Sequence, residues 1–344
     1  MSAICEHCLT AVPSRVHVDG AGAWMTKRCP EHGESRHLIE PDPDFFCTAL
    51  VQELDPAKAA RYTNISSATG IDITRRCNVR CPHCYVDPEN QVKDIPLDGV
   101  VELARHATKA AHIILMGAEP TVRHDLPAVI EAVRAATGKD VGIYTNAIRA
   151  AKGDYAEQLK SAGLKFACVS LHTPSYLGAK IYEQKKQGIN KLMRAGVAIS
   201  HVSFSLTSLD ELPGVLADAR ALRRVAGHIR IRSPQQVGHY NGDEPIALSA
   251  LYSETRRILE ARGHRVVLEP SDNSPYHVNV RVDGLQVIRL IRWPTLASAE
   301  LSYLDCPPYA IFDKESGEVN LVLSFLMQEA RRKQSRALEL KKHD

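Results

Sequence analysis

The segment Thr74-Arg-Arg-Cys77-Asn-Val-Arg-Cys81-Pro-His-Cys84-Tyr85 gathers three thiols in a CX3CX2C spacing. Three is the informative number. Thiolates so grouped hold iron–sulfur clusters, and a cube of four irons and four sulfides has four corners. Three protein ligands leave one iron open to a chelating ligand, as a catalytic metal site requires and a closed electron-transfer centre does not. The same residues also admit a zinc knob completed by His83, whose ring would have to turn back onto the ion from between two ligands. A second set stands at the N-terminus: Cys5-Glu-His-Cys8, then, after twenty intervening residues, Cys29-Pro-Glu-His32. These CX2C and CX2H pairs suit one tetrahedral ion held by three thiolates and an imidazole, zinc first and a rubredoxin-like mononuclear iron second.

Such residues need elements to position them. The first forty residues are rich in Gly, Pro and charge, with little apolar periodicity, and need a metal staple. After Glu40-Pro-Asp-Pro-Asp44, short β-type runs alternate with amphipathic helical ones. Strands are predicted near Gly70–Thr74, His112–Met116, Val141–Thr145, Phe166–Leu171, Val197–Leu206 and His228–Arg232. Helices are predicted over Leu97–Ala111, Leu126–Ala136, Tyr155–Ala162, Lys185–Ala195 and Leu209–Val225. Strands joined by single helices run parallel with right-handed crossovers, which gives an α/β class, either an open doubly wound sheet or a barrel-like closure. In both, chemistry gathers at the C-terminal ends of the strands. Beyond Gly263 the repeat stops: Val278–Trp293 reads as a hairpin around Asp283-Gly284, and Asn320–Leu340 as a closing helix.

Composition narrows the class. The 344 residues are 44% hydrophobic and 24% charged, which excludes disordered, collagenous and coiled-coil chains. No apolar run is long enough for a membrane helix, and the start MSAICEHCLT has neither a basic nor an apolar targeting region, so a cytoplasmic protein is expected. With 43 Lys+Arg against 40 Asp+Glu, bulk charge offers little to a nucleic acid, although Arg331–Lys342 is locally basic. The nine cysteines then read as metal ligands or thiols before disulfides.

The cysteine loop resembles the signature of the radical SAM superfamily, CX3CXΦC, with His83 at the Φ place. That resemblance implies a partial (β/α)6 barrel and a [4Fe-4S] cluster on Cys77, Cys81 and Cys84. It also implies S-adenosylmethionine (SAM) on the open iron, one-electron cleavage of a SAM carbon–sulfur bond, and an electron donor such as flavodoxin or ferredoxin. After the second strand, Met116-Gly117-Ala118-Glu119-Pro120 is similar to the family's GGE motif, with Ala118 in place of the second glycine. By that likeness Glu119 partners the SAM ammonium. Asn146, after strand three, and Ser170, after strand four, match places that contact methionine or ribose. The resemblance implies three parts: a metal ribbon over 1–45, the barrel over 64–269 and an α+β extension over 270–344. The ribbon's CPEHG ending, placed before a core carrying GAEPTVRHDL, resembles more narrowly the tetraether-lipid synthases and folate-dependent methyltransferases, which join or transfer carbon fragments. The unassigned Cys47, Cys168 and Cys306 are too few for an auxiliary cluster, and Cys47 and Cys306 read as packing residues.

Alternation fills in the lumen. Side chains two apart on a strand share a face, so an inward Ser170 brings Cys168 and His172 with it as catalytic candidates. His201, Ser203, Ser205 and Thr207 should face inward, away from Val202, Phe204 and Leu206; Arg230 and Arg232 oppose Ile229 and Ile231, followed by Gln235, Gln236, His239 and Tyr240. The resulting lumen is polar and partly cationic, suited to a small anionic substrate, with Arg232 also a ligand for SAM's carboxylate. An inward Cys168 could give a hydrogen atom to a radical or bind a soft atom such as arsenic. The expected activity is formation of a new carbon bond by group transfer. Alternatives are delivery of SAM's 3-amino-3-carboxypropyl group to arsenic, as the resemblance to arsinothricin-pathway enzymes implies, a SAM-dependent epimerase or mutase, and a non-catalytic iron–sulfur or zinc module that recognises a partner.

Overall fold

The computed structural model describes residues 2–50, 68–84, 86, 88–108, 110–222, 225–234, 245–269, 276–292, 310–312 and 319–321. Its N-terminus is a four-stranded antiparallel sheet, β1 (Ser2–Ile4), β2 (Ala11–Asp19), β3 (Gly22–Cys29) and β4 (Gly33–Glu40), followed by helix α1 (Pro43–Ala49). Asp42 caps that helix by accepting from the Phe45 amide at 2.8 Å.

Six parallel strands follow in spatial order: β5 (Ala68–Thr74), β6 (His112–Gly117), β7 (Asp140–Thr145), β8 (Leu164–Ser170), β9 (Ala198–Ser205) and β10 (Ala226–Arg232). Between them run α2 (Leu97–His106), α3 (Leu126–Thr137), α4 (Tyr155–Ser161), α5 (Pro174–Leu177), α6 (Ala179–Arg194) and α7 (Leu212–Leu222). This is the curved βα repeat of the partial-barrel fold expected from the sequence. In α3, Leu126, Val129, Ile130 and Val133 recur at helical spacing and are fully buried, which explains why this stretch is helix and which face meets the sheet. Helix α8 (Leu248–Ala261) leads into β11 (Val266–Glu269), β12 (His277–Val282) and β13 (Gln286–Ile291). The predicted hairpin is β12–β13, and β13 pairs parallel to β10, so the hairpin extends the main sheet to nine strands. A separate ladder joins β14 (Ala310–Phe312) and β15 (Val319–Leu321). Asn320 and Leu321, expected to begin a closing helix, lie in β15, and the rest of that predicted helix falls outside the described residues, as does Cys306.

The N-terminal sheet is not an isolated staple. Ala3, Ala23, Met25 and Ile39 belong to the same buried apolar cluster as the barrel strands. Glu40, 1% exposed, ends β4 by receiving the amides of Leu248 (3.1 Å) and Ser249 (3.3 Å) and the Ser249 hydroxyl (2.5 Å). A carboxylate at the first turn of α8 satisfies donors that the helix cannot satisfy itself. Cys47 corrects a packing assignment: Phe45 and Phe46 are buried, whereas Cys47 between them and solvent is exposed. Among the described residues, no helix is long and apolar enough to cross a membrane.

Candidate active site

The three thiols lie in the loop between β5 and α2, at the C-terminal edge of the sheet. Asp94 closes this loop, accepting from the Thr74 hydroxyl at 2.6 Å and from the Arg76 guanidinium through both of its oxygens. The Cys77 amide donates to Asn90 Oδ1 at 2.9 Å, and the Cys84 amide to the Cys81 carbonyl at 3.2 Å. Arg123, 2% exposed, donates to the carbonyls of Ile73 and Ile95 on either side of the loop and pairs with Asp125. Cys77, Cys81 and Cys84 are half-buried and form no disulfide. Burial pushes Cys77 up to about 12 and Cys81 up to about 11; Cys84 and Glu119 raise both, while Lys185 lowers Cys81. The thiols therefore sit in a desolvated place that resists isolated thiolates and suits them only beside a cation.

The loop after β6 is sewn to the cysteine loop. The Ala118 amide donates to the Thr74 carbonyl at 2.9 Å and the Glu119 amide to the Arg76 carbonyl at 3.0 Å. Gly117 sits at φ +123°, and a Cβ there would lie 2.2 Å from the Thr74 oxygen, so only glycine permits the approach. Gly117 thus provides backbone clearance between the two loops. Glu119 is 1% exposed. Its Oε1 accepts from the Thr121 amide and hydroxyl (3.1 and 2.6 Å) and the Thr145 hydroxyl (2.7 Å), while Oε2 accepts from the Asn146 amide (2.6 Å). Burial raises its pKa against these donors. Oε2 is the oxygen with capacity for a further donor. Asn146 donates from Nδ2 to Asn78 Oδ1 at 2.7 Å and accepts the Ile148 amide at 3.0 Å, so its side chain braces the cysteine loop.

Lys185 escaped the sequence reading. It is 1% exposed on α6, donating to the carbonyls of Ser170 (3.0 Å) and Leu171 (3.3 Å), and its charge acts on Cys81. A signal was present: Lys185 shares the buried face of α6 with Tyr182, Ile189 and Leu192, so a lysine occupies an apolar stripe. The helix can come this close because a Cβ on Gly188 would lie 1.9 Å from the Ala147 carbonyl. Ser170 is half-buried at the end of β8. His172 follows at φ +59°, 6% exposed, and its Nδ1 accepts the Ser205 amide at 3.2 Å. Burial, with Lys185 and Arg232 nearby, holds its pKa well below the usual value. The ring is therefore neutral with its proton on Nε2, a donor and not a ready base. Tyr176 stacks on it at 4.3 Å between centroids and also meets His83 at 4.8 Å.

The strand register orders the lumen in layers. Tyr144, Cys168, His201 and His228 are partners across β7, β8, β9 and β10. Ser170, Ser203, Arg230 and Arg289 form the next layer across β8, β9, β10 and β13. As alternation requires, Val202, Phe204, Ile229 and Ile231 lie on the opposite face in the apolar core. Cys168 is 2% exposed, and burial pushes its thiol up to about 11. Arg232 shares the inward face with Arg230. Gln235, Gln236, His239 and Tyr240 lie outside the described residues.

The N-terminal ligands converge on one point. All four ligand atoms of Cys5, Cys8, Cys29 and His32 lie within 4.8 Å of one another. Cys8 and Cys29 sulfurs are 3.7 Å apart, and His32 Nδ1 is 3.7 Å from Cys5 and 3.5 Å from Cys29. A tetrahedral zinc with Zn–S near 2.3 Å sets sulfur–sulfur edges of about 3.8 Å, so the residues fit one ion. The Thr10 hydroxyl, 2.9 Å away, draws the Cys8 thiol down to about 6.

Comparisons with known proteins agree with these two centres. Residues 71–209 match the radical SAM superfamily, and residues 1–41 match the HMPTM N-terminal zinc ribbon domain. A probable GTP 3',8-cyclase of Methanococcus maripaludis is 27% identical over 63% of this chain and 80% of its own length. The 7,8-dihydro-6-hydroxymethylpterin dimethyltransferase of Methanocaldococcus jannaschii is 27% identical over 47% of this chain, which spans 36% of that relative's length. Among solved structures, Streptococcus suis SuiB bound to its precursor peptide SuiA aligns with a TM-score of 0.46 at 12% identity, covering 76% of this chain and 70% of that one. The chain thus joins a domain that matches the radical SAM superfamily to one that matches an HMPTM N-terminal zinc ribbon.

Proposed function

We propose that the protein binds a [4Fe-4S] cluster through Cys77, Cys81 and Cys84, cleaves SAM reductively, and forms a new carbon bond on a small polar substrate by transfer of a carbon fragment. The observation that carries this reading is the open donor set at the mouth of the barrel. Cys81 and Cys84 act electrostatically on Cys77 there, yet among the described residues only the ribbon brings three potential ligands close enough for a single ion. His83, the fourth ligand of the zinc-knob alternative, packs its ring on Tyr176. A multi-iron cube suits the wider set. Kinship with a dimethyltransferase supports carbon transfer in particular.

With cluster and SAM bound, the cofactors supply one-electron scission of a carbon–sulfur bond, fed by an external carrier such as flavodoxin or ferredoxin. The chain's own residues bind and shield. Oε2 of Glu119 takes the SAM ammonium, Arg232 its carboxylate, and Ser170 and Asn146 border the same place, with Gly117 giving clearance and His83 offering a ring face. His172 holds the β8–β9 edge and presents Nε2–H to the lumen. Cys168 keeps its hydrogen at neutral pH, so it can donate a hydrogen atom to a substrate radical.

The test is anaerobic reconstitution, reduction and mass spectrometry of SAM products. 5′-Deoxyadenosine is expected; methylthioadenosine would point to the aminocarboxypropyl variant, and neither product would reduce the protein to a binding module.

A further inference from the structure

Lys185 stands where a packed helix face disfavours it. It is 1% exposed on α6, in one stripe with Tyr182, Ile189 and Leu192, and burying an ammonium is costly unless its charge is compensated. Among the described residues it forms no salt bridge; its Nζ donates to the carbonyls of Ser170 at 3.0 Å and Leu171 at 3.3 Å, at the end of β8. A neutral donor would serve these carbonyls as well, so the hydrogen bonds alone do not call for a cation. The packing leads from here to the cysteine loop. His172 follows directly on the two carbonyls, its ring stacks on Tyr176, and Tyr176 meets His83, which lies between Cys81 and Cys84 in the chain. Glu119, the buried carboxylate of the same site, receives its hydrogen bonds from the neutral donors of Thr121, Thr145 and Asn146. Burial lowers the pKa of Lys185, and the charges that counter it are those of Cys81, then Glu119 and Cys77.

We infer that Lys185 sets the reduction potential of the proposed cluster: its buried positive charge, held near the cysteine loop by the Ser170 and Leu171 carbonyls, favours the one-electron-reduced form. Reduction adds one negative charge, brought as an electron by the external carrier, and no bond of the chain is made or broken. Cluster potentials follow net charge, hydrogen bonding and solvent exposure, and a charge acts more strongly in a desolvated site than in water. Glu119 works in the opposite direction, so the lysine offsets a carboxylate that the site also keeps buried. The inference rests on the reading that Cys77, Cys81 and Cys84 hold a [4Fe-4S] cluster.

A redox titration of the air-free reconstituted protein without SAM, followed by electron paramagnetic resonance, tests it. Lys185→Gln keeps an N–H donor for the carbonyls and removes the charge. Its cluster should be about tenfold or more harder to reduce, a midpoint lower by about 59 mV for one electron. Lys185→Arg keeps the charge and should stay close to the wild-type potential. Lys185→Met, also uncharged, replaces the glutamine variant if that one fails to fold; thermal melts and iron analysis establish that every variant compared is folded and loaded. An unchanged potential in the uncharged variants would overturn the inference. So would an equal fall in Lys185→Arg, which would leave Lys185 a packing role only. A preparation without a four-iron cluster would instead overturn the reading beneath it, so iron content tells the two failures apart.

Discussion

The two sulfur-rich sets of this chain differ in closure. In the ribbon, three sulfurs and one imidazole nitrogen meet within 4.8 Å, and Cys5 and Cys29 are buried against Val12. At the barrel mouth, three half-buried thiols of one loop lie beside a buried carboxylate and a buried lysine, and among the described residues they do not close into a single-ion set. A closed set fixes structure, while a set with a vacant corner leaves a place for chemistry. The scaffolding differs accordingly. The ribbon is held by strand pairing and the proposed ion, the barrel mouth by hydrogen bonds from residues distant in sequence, such as Arg123 to Ile73 and Asn146 to Asn78.

The comparison can be broken by removing one ligand at a time. Cys81→Ala should bring SAM cleavage to background and lower iron far below four per chain, while the ribbon keeps its single ion; metal analysis and product mass spectrometry read both. Cys29→Ala should do the converse to the metals, costing one tightly bound ion per chain and lowering the melting temperature, with the iron complement retained. Glu40→Ala should leave both metal centres filled and cost about 1–3 kcal/mol in a denaturant melt, because it strips a buried charged acceptor from three donors of α8. The smallest effect concerns pH. Cys8, drawn down to about 6 by Thr10, is a thiolate above that pH and takes up a proton as pH falls through it. Metal retention by the ribbon should then decline as pH drops below about 6. In Thr10→Val the decline should begin at higher pH, as a metal-indicator titration would show.

Much of the frame was legible because it is local. Alternating apolar residues gave all six parallel strands, and the Asp283-Gly284 turn gave the β12–β13 hairpin. The ligand spacing of the ribbon was equally readable, since four ligands in thirty-two residues need only two turns. What escaped depends on partners far apart. Glu40 reads as one more charge in a Pro-rich linker, yet its partner Ser249 lies 209 residues on. Arg123 and Asp94 carry no motif, and their roles appear only when the loops after β5 and β6 are adjacent. Glu119 was found by motif, but the four donors that hold it come from two strand ends whose approach no periodicity encodes.

The account stands on one iron being open. Mössbauer spectra of the protein reconstituted with 57Fe, recorded without and with SAM, test this directly. The account predicts a four-iron cluster in which SAM alters the signal of one iron in four. A cluster whose four irons are indifferent to SAM, or a centre with a single iron, would contradict it.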